Sequence, residues 1–218
     1  MSARKLTLEI GGITLELLAE RAVYWPARRA LLVADLHLGK TETFRRAGIA
    51  VPDGDTQDTL ARLQHLIDTF KPGELILLGD ILHARIAGNS QLPGQIKAWR
   101  DAVDVPSILA VIGNHDHDLG RLNEAFTILD EGADYDGLSL LHHPPATPLS
   151  TPWIAGHWHP VARLSHGPDR LRAPVFVKKA NHGLILPAFG SFTGGHPVTA
   201  QTGDRRFLTT GEEVIAID

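Results

Sequence analysis

Apolar and polar residues alternate over the first 25 positions: Leu6, Leu8 and Ile10 precede Gly11 and Gly12, and Ile13, Leu15 and Leu17 follow them. A period of two puts every second side chain on one face of a strand, so the segment predicts a β-hairpin turning at the glycine pair. Short apolar runs then recur at 31–34, 75–78, 108–112, 138–141 and 153–155. Runs of this length between turn residues predict buried strands. Between them, Leu60, Leu63, Leu66, Ile67 and Phe70 fall at helical spacing, with Asp55 or Thr56 as N-cap and Pro72 and Gly73 as stop signals. Further helical patterns cover 91–103 and 118–126. Strands alternating with helices over the first two-thirds predict an α/β fold. After residue 150 the pattern changes to strands separated by Gly and Pro, at 175–177 and 183–186. No repeat, low-complexity tract or linker interrupts the chain, so residues 1–218 read as one domain.

Composition narrows the chemistry. The chain has no cysteine, which excludes disulfides, thiolate metal sites and cysteine nucleophiles. Any metal is therefore held by oxygen and nitrogen. The net charge of −4 excludes a protein that coats nucleic acid through overall basicity, so nucleic acid would be met by a local basic patch and by metals. Arg4 and Lys5 begin like a signal peptide, but Glu9, Gly11, Gly12 and Glu16 interrupt the apolar stretch that should follow. No run of 18 apolar residues offers a transmembrane helix. The expected location is the cytoplasm, with no membrane partner.

The polar residues fall where the apolar runs end. The five runs lead into Asp35 and His37, into Asp80, into Asn114 and His115, into His142 and His143, and into His157 and His159. The functional crevice of an open α/β sheet lies beyond the carboxyl ends of its strands. One histidine after a strand is ordinarily structural, and Gly-Asn alone is turn chemistry. Five strand ends bearing such residues together point to one site. The ligand number suits two metals sharing a carboxylate, and Asp80, alone at its strand end, is the natural bridge. Two divalent ions bring +4 against −2 from Asp35 and Asp80, and the remaining positive charge favours a phosphate ester. A mixed Asp, Asn and His set suits Mn²⁺, with Zn²⁺ or Fe as alternatives.

The motifs Asp35-Leu36-His37, Gly79-Asp80, Gly113-Asn114-His115-Asp116, His142 and Gly156-His157-Trp158-His159 resemble the calcineurin-like metallophosphoesterase superfamily. That resemblance implies that Asp35, His37, Asp80 and His159 hold the first metal and that Asp80, Asn114, His142 and His157 hold the second. It implies for His115 the role of a non-ligand acid that protonates the leaving alkoxide after attack by a hydroxide bridging the ions. Residues 33–52 (VADLHLGKTETFRRAGIAVP), the preceding Tyr24-Trp25-Pro26 and residues 187–195 (PAFGSFTGG) are similar to one branch, the bacterial DNA-ligase-associated DNA damage response endonucleases of the PdeM type. This implies an α/β/β/α sandwich, usually manganese, a DNA phosphodiester as substrate, and a functional association with a DNA ligase and other repair enzymes. The family's ligand follows the apolar strand directly, which selects His142, with adjacent His143 as the alternative.

Other residues divide between substrate contact and bland roles. Lys40, Arg45 and Arg46 follow the first motif and suit either phosphate contacts or a solvated basic turn. Arg85 and His83 follow Asp80 closely and share that edge. Trp158, if it lies in a strand, points away from His157 and His159 into the core, with base stacking as the alternative. His65 lies within the helical pattern and belongs to surface or core, and His166, His182 and His196 lack ligand spacing. Gly39-Lys40-Thr41 is no Walker loop, because position 34 is Ala rather than Gly. Residues 190–194 (GSFTG) are no nucleophile elbow, because Ser191 is second rather than third. Two rival functions remain: a small-molecule phosphodiesterase acting on 2′,3′-cyclic nucleotides or a nucleotide-linked substrate, and a scaffold of the same fold. All seven ligand positions are filled, which disfavours the scaffold.

Overall fold

The computed structural model describes residues 5–52, 54–122, 124–166 and 169–217. Arg4 and the His166 side chain lie outside the described parts. The expected hairpin is present. β1 (Lys5–Ile10) pairs with β2 (Ile13–Leu18) from Lys5 opposite Leu18 to Ile10 opposite Ile13. Gly11 and Gly12 both have positive φ, at 53° and 84°, as a turn matched to strand twist requires.

β3 (Ala22–Trp25) and β4 (Ala30–Val33) extend the hairpin as an antiparallel meander. β5 (Glu74–Leu78), β6 (Ser107–Val111) and β7 (Thr127–Leu129) then add in parallel, completing a seven-stranded sheet. Parallel neighbours need crossovers. These carry α1 (Lys40–Arg46) and α2 (Asp55–Phe70) between β4 and β5, and α3 (Leu92–Ala102) between β5 and β6. Leu60, Leu63, Leu66 and Ile67 of α2 and Leu92 and Ile96 of α3 pack on Leu31, Val33, Leu75 and Leu77 of the sheet. The apolar stripe therefore faces as its spacing predicted.

Three local expectations change. The N-cap of α2 is Gly54, with no side-chain cap. Asp55 instead accepts the Phe192 N–H at 3.0 Å, and Thr56 Oγ1 accepts the Gly39 N–H at 2.9 Å. Both side chains are committed to tertiary ties, so neither turns back on its own helix. The pattern over 118–126 becomes only a 3₁₀ turn at Leu119–Leu122. The basic turn expected after the first motif is instead the helix α1, which buries only Thr41 and so carries no apolar stripe.

The second sheet is built from β8 (Ala133–Tyr135), β9 (Leu138–Leu140), β10 (Trp153–Ala155), β11 (Pro160–His166), β12 (Asp169–Lys179), β13 (Gly183–Ile185) and β14 (His196–Pro197), with β15 (Arg205–Thr209) and β16 (Val214–Ala216) branching from β12. β9, β10 and β13 are mutually parallel. The sheets face each other across a core of Leu15, Val23, Leu32 and Ile76 from the first and Leu140, Ile154, Phe176 and Phe207 from the second. The two sheets thus form the expected sandwich. Of the α-helices among the described residues, α2 and α3 cover the first sheet, and α1 lies against α2. The outer face of the second, with Trp153, Val175 and Leu208, packs against Leu149, Val198 and Ile217 of non-helical chain. Phe176 is fully buried between the sheets. The Phe176→Ala protein is expected to lose about 3–5 kcal/mol of unfolding free energy, read from its urea midpoint.

Candidate metal centre

The parallel strands β4, β5 and β6 of one sheet and β9 and β10 of the other end at one edge of the sandwich. Beyond Val33 the chain keeps bonding its neighbour: the Asp35 N–H donates to Gly79 O (3.1 Å), His37 to Asp80 O (2.9 Å) and Leu38 to Ile81 O (2.8 Å). The residues between are no longer extended. Asp35, His37, Asp80, His157 and His159 all have positive φ, between 44° and 68°. Such backbone costs about 1–3 kcal/mol per non-glycine residue and persists where the surroundings enforce it. Half of the ten described non-glycine residues with positive φ are thus predicted ligands. The conformation curls each side chain inward, while Leu36 between two of them stays buried in the helix-side core.

Glycines at the ends of β5 and β6 clear the space. A Cβ at Gly113 would lie 2.2 Å from Asp80 N. One at Gly79, whose φ is 74°, would lie 2.3 Å from His142 Nδ1. The Gly79→Ala protein is expected to lose about 10²-fold in phosphodiester turnover, the cost of a misplacement near 1 Å, measured as kcat beside metal content.

The side chains converge in two groups. In the first, Asp35, His37, Asp80 and His159 each place a donor atom within 4.8 Å of the others. His37 Nε2 lies 3.3 Å from His159 Nε2, and His159 Nε2 lies 3.4 Å from Asp35 Oδ1. In the second, His142 Nε2 lies 3.1 Å from Asn114 Oδ1, 3.1 Å from His157 Nδ1 and 3.5 Å from Asp80 Oδ1. Asp80 joins the groups: its Oδ1 faces His142, and its Oδ2 lies 3.8 Å from His37 Nε2.

The donor set fits divalent cations. Asp35 and Asp80 are 0% and 2% exposed, and among the described residues their side-chain ion-pair partners are all histidines. Burial, with electrostatic repulsion among His37 and its neighbours His159, Lys40, His83 and His115, holds His37 down to about 2. Burial also lowers His157, with His142 and His143 adding to it. Lowered in this way, His37 and His157 offer lone pairs to the site rather than charge that would compensate the two carboxylates. Buried carboxylates in such surroundings call for a bound cation. His142 Nδ1 lies 3.1 Å from Leu78 O; a proton on Nδ1 donated there leaves Nε2 as the donor, the usual support of a metal-ligating histidine.

A family model, calcineurin-like phosphoesterase, matches residues 28–178. The chain belongs to that family. This calcineurin-like phosphoesterase is similar to the crystal structure of Pseudomonas putida nuclease MPE, with 37% identity and a TM-score of 0.80 over 98% of this chain and 100% of that one. It is also similar to Yfce, a phosphoesterase from E. coli, at 14% identity and a TM-score of 0.45, over 86% of this chain and 96% of that one. No curated protein matches it. It is a metal-dependent phosphoesterase, and no helix among its described residues is long and apolar enough to cross a membrane.

The other predicted residues of the phosphoesterase separate by position. The His115 side chain is 42% exposed, with Nε2 4.0 Å from Asp80 Oδ2, and its backbone N–H donates to Asp80 Oδ1 at 2.9 Å. It stands over the centre without joining either donor group. His143 is exposed, and its Nδ1 lies 3.1 Å from Glu131 Oε1; it nonetheless lies in one donor group with His142 and His157. Lys40 is half-buried, lowered by burial with Asp55 opposing, and its charge is felt at His37 and His83. Arg45 and Arg46 line a groove with Gln57, Asn89, Gln91 and Gln95. Arg85 lines a small cavity with Glu42 and Arg46.

Sequence reasoning undervalued four residues. His83 Nδ1 lies 3.4 Å from His37 Nδ1, and its ring stacks on His115 at 5.6 Å. Asp116 accepts the N–H groups of Leu82 and Gly113, both at 2.8 Å, stapling the ends of β5 and β6 together. Burial pushes its carboxyl up to about 7 against those two bonds. His196 donates its N–H to His159 O at 2.9 Å. Trp158 is 39% exposed rather than packed in the core. The alternation argument failed there because positive φ at His157 and His159 breaks the strand. His65 and His182 are exposed and outside both donor groups, as expected.

Proposed function

We propose that the protein is a two-metal phosphodiesterase that incises DNA, acting in DNA repair beside a DNA ligase. The observation that carries the two-metal reading is Asp80, whose two carboxylate oxygens face different donor groups. Asp35, His37, Asp80 and His159 would hold one ion, and Asp80, Asn114, His142 and His157 the other. Divalent ions there, Mn²⁺ by the donor set, supply Lewis acidity that polarises phosphoryl oxygens and lowers the pKa of water. DNA as substrate is supported by similarity to the Pseudomonas putida nuclease over the whole chain.

The chain's own residues do the rest. The strained strand ends fix the donors in place before substrate arrives, so little reorganisation accompanies the reaction. His115, exposed beside Asp80, can reach a substrate oxygen. As the attacking oxygen bonds to phosphorus and the bond to the leaving oxygen breaks, His115 hands its Nε2 proton to the departing alkoxide. Its stacking on His83 holds the ring over the site. Lys40 adds positive charge toward a flanking phosphate.

The test is incubation of metal-stripped protein with circular single-stranded DNA and with 2′,3′-cyclic AMP, with and without Mn²⁺. Mn²⁺-dependent opening of the circle is expected. Intact circles with rapid hydrolysis of the cyclic nucleotide would move the substrate to small phosphodiesters.

A further inference from the structure

Trp158 is exposed where an indole has reason to be buried. The Trp158 backbone N–H donates to Gly156 O at 2.8 Å across His157, whose φ is 68°. That is a γ-turn with positive φ at its centre, a rare and strained form. The strain lifts Trp158 out of the sheet between two predicted ligands. Among the described residues, only Phe192 is a comparably exposed aromatic side chain.

The indole lines a groove. Trp158, His196 and Val198 border an open space of about 330 Å³ that shares His157 and His159 with the metal centre. That volume lies at the lower end of the range of small-ligand sites. Lys179 Nζ lies 5.9 Å from the Trp158 ring centre and is paired with Asp204. The groove thus offers a flat π-face, an apolar wall and imidazoles, with little free positive charge. The whole chain carries −4. A nucleic acid held here gains less from phosphate attraction than on a basic protein and more from stacking, which is insensitive to base identity.

We infer that Trp158 is a stacking platform for an unpaired nucleobase adjacent to the scissile phosphate. This rests on the DNA-incising function proposed above. With a phosphate held at the proposed ions, the shared His157 and His159 would place the neighbouring base beside this groove. A base held in a duplex has both faces covered, so the platform selects strands whose bases are free.

The test uses full-length protein carrying His115→Ala, loaded with Mn²⁺, and a single-stranded oligothymidylate. Saturable quenching of intrinsic fluorescence is expected, and its absence from the same protein carrying Trp158→Phe would assign the quench to Trp158, one of four tryptophans. By anisotropy, Trp158→Ala is expected to weaken binding about 5- to 150-fold, the range for one lost base–aromatic stack. Trp158→Phe should recover most of it, which also answers a folding defect in the alanine variant. An oligonucleotide with one abasic position beside the cleavage point should bind the Trp158→Ala protein as the intact strand does. Unchanged affinity in Trp158→Ala, or a loss that persists wherever the abasic position is placed, would overturn the platform. Incision by the unaltered protein is scored in parallel. Incision without a Trp158-dependent signal removes the platform alone, whereas no oligonucleotide binding or incision removes the DNA reading with it.

Discussion

The Asp80→Ala protein is expected to fold and to lose phosphodiester hydrolysis by about 10³-fold or more, because several kcal/mol of metal-derived stabilisation goes with it. Asp80 is 2% exposed at the end of β5, with Oδ1 toward His142 and Oδ2 toward His37. Removing it takes one ligand from each proposed ion and the acceptor of the His115 N–H. No neighbour replaces it, since the remaining side chains of the second group are two histidines and an amide, none of them a carboxylate. Metal content and turnover should therefore fall together, whereas loss of a ligand private to one ion spares the other. Metal analysis of the dialysed variant beside its kcat checks this. Two ions retained per chain, or full turnover, would sink the bridging role.

The His115→Ala protein should behave differently. Its metal content should stay at the unaltered level, because His115 lies outside both donor groups. Its kcat on DNA should fall about 10²- to 10⁴-fold, the usual contribution of a positioned general acid. The loss should shrink on bis(p-nitrophenyl) phosphate, since a leaving group that departs as a stable anion needs no proton. Comparing the two substrates isolates proton donation from binding. Equal losses on both would make His115 a phosphate-binding group instead.

How much of this could be read from sequence follows from where side chains point. The hairpin, β4 to β6 and α2 were legible because each buries one face, and burial writes a period of two or 3.6 into the chain. α1 (Lys40–Arg46, KTETFRR) buries only Thr41 and writes none. β12 (Asp169–Lys179) was read only at 175–177, because its ends carry Asp169, Arg170, Arg172, Lys178 and Lys179. The site was legible by type and place: Asp, Asn and His side chains clustered where apolar runs stop, and the fold brings all seven predicted ligands together. Their left-handed backbone was not legible, because positive φ at Asp35 or His157 is imposed by contacts from distant segments, such as the His157 N–H on Asp35 Oδ2 at 2.9 Å. Strand alternation alone therefore places Trp158 in the core, whereas positive φ on both sides of it turns it outward. His83 and Asp116 carry no such mark in the sequence, because each acts through a neighbour: His83 on His37, and Asp116 on the N–H groups of Leu82 and Gly113.

The most direct test of the account is anomalous diffraction at the manganese edge from crystals grown with Mn²⁺. It should show two peaks about 3.5–4 Å apart, one bounded by Asp35, His37 and His159, the other by Asn114, His142 and His157, with Asp80 between them. A single peak, or a second peak held by His143 in place of His142, would contradict it.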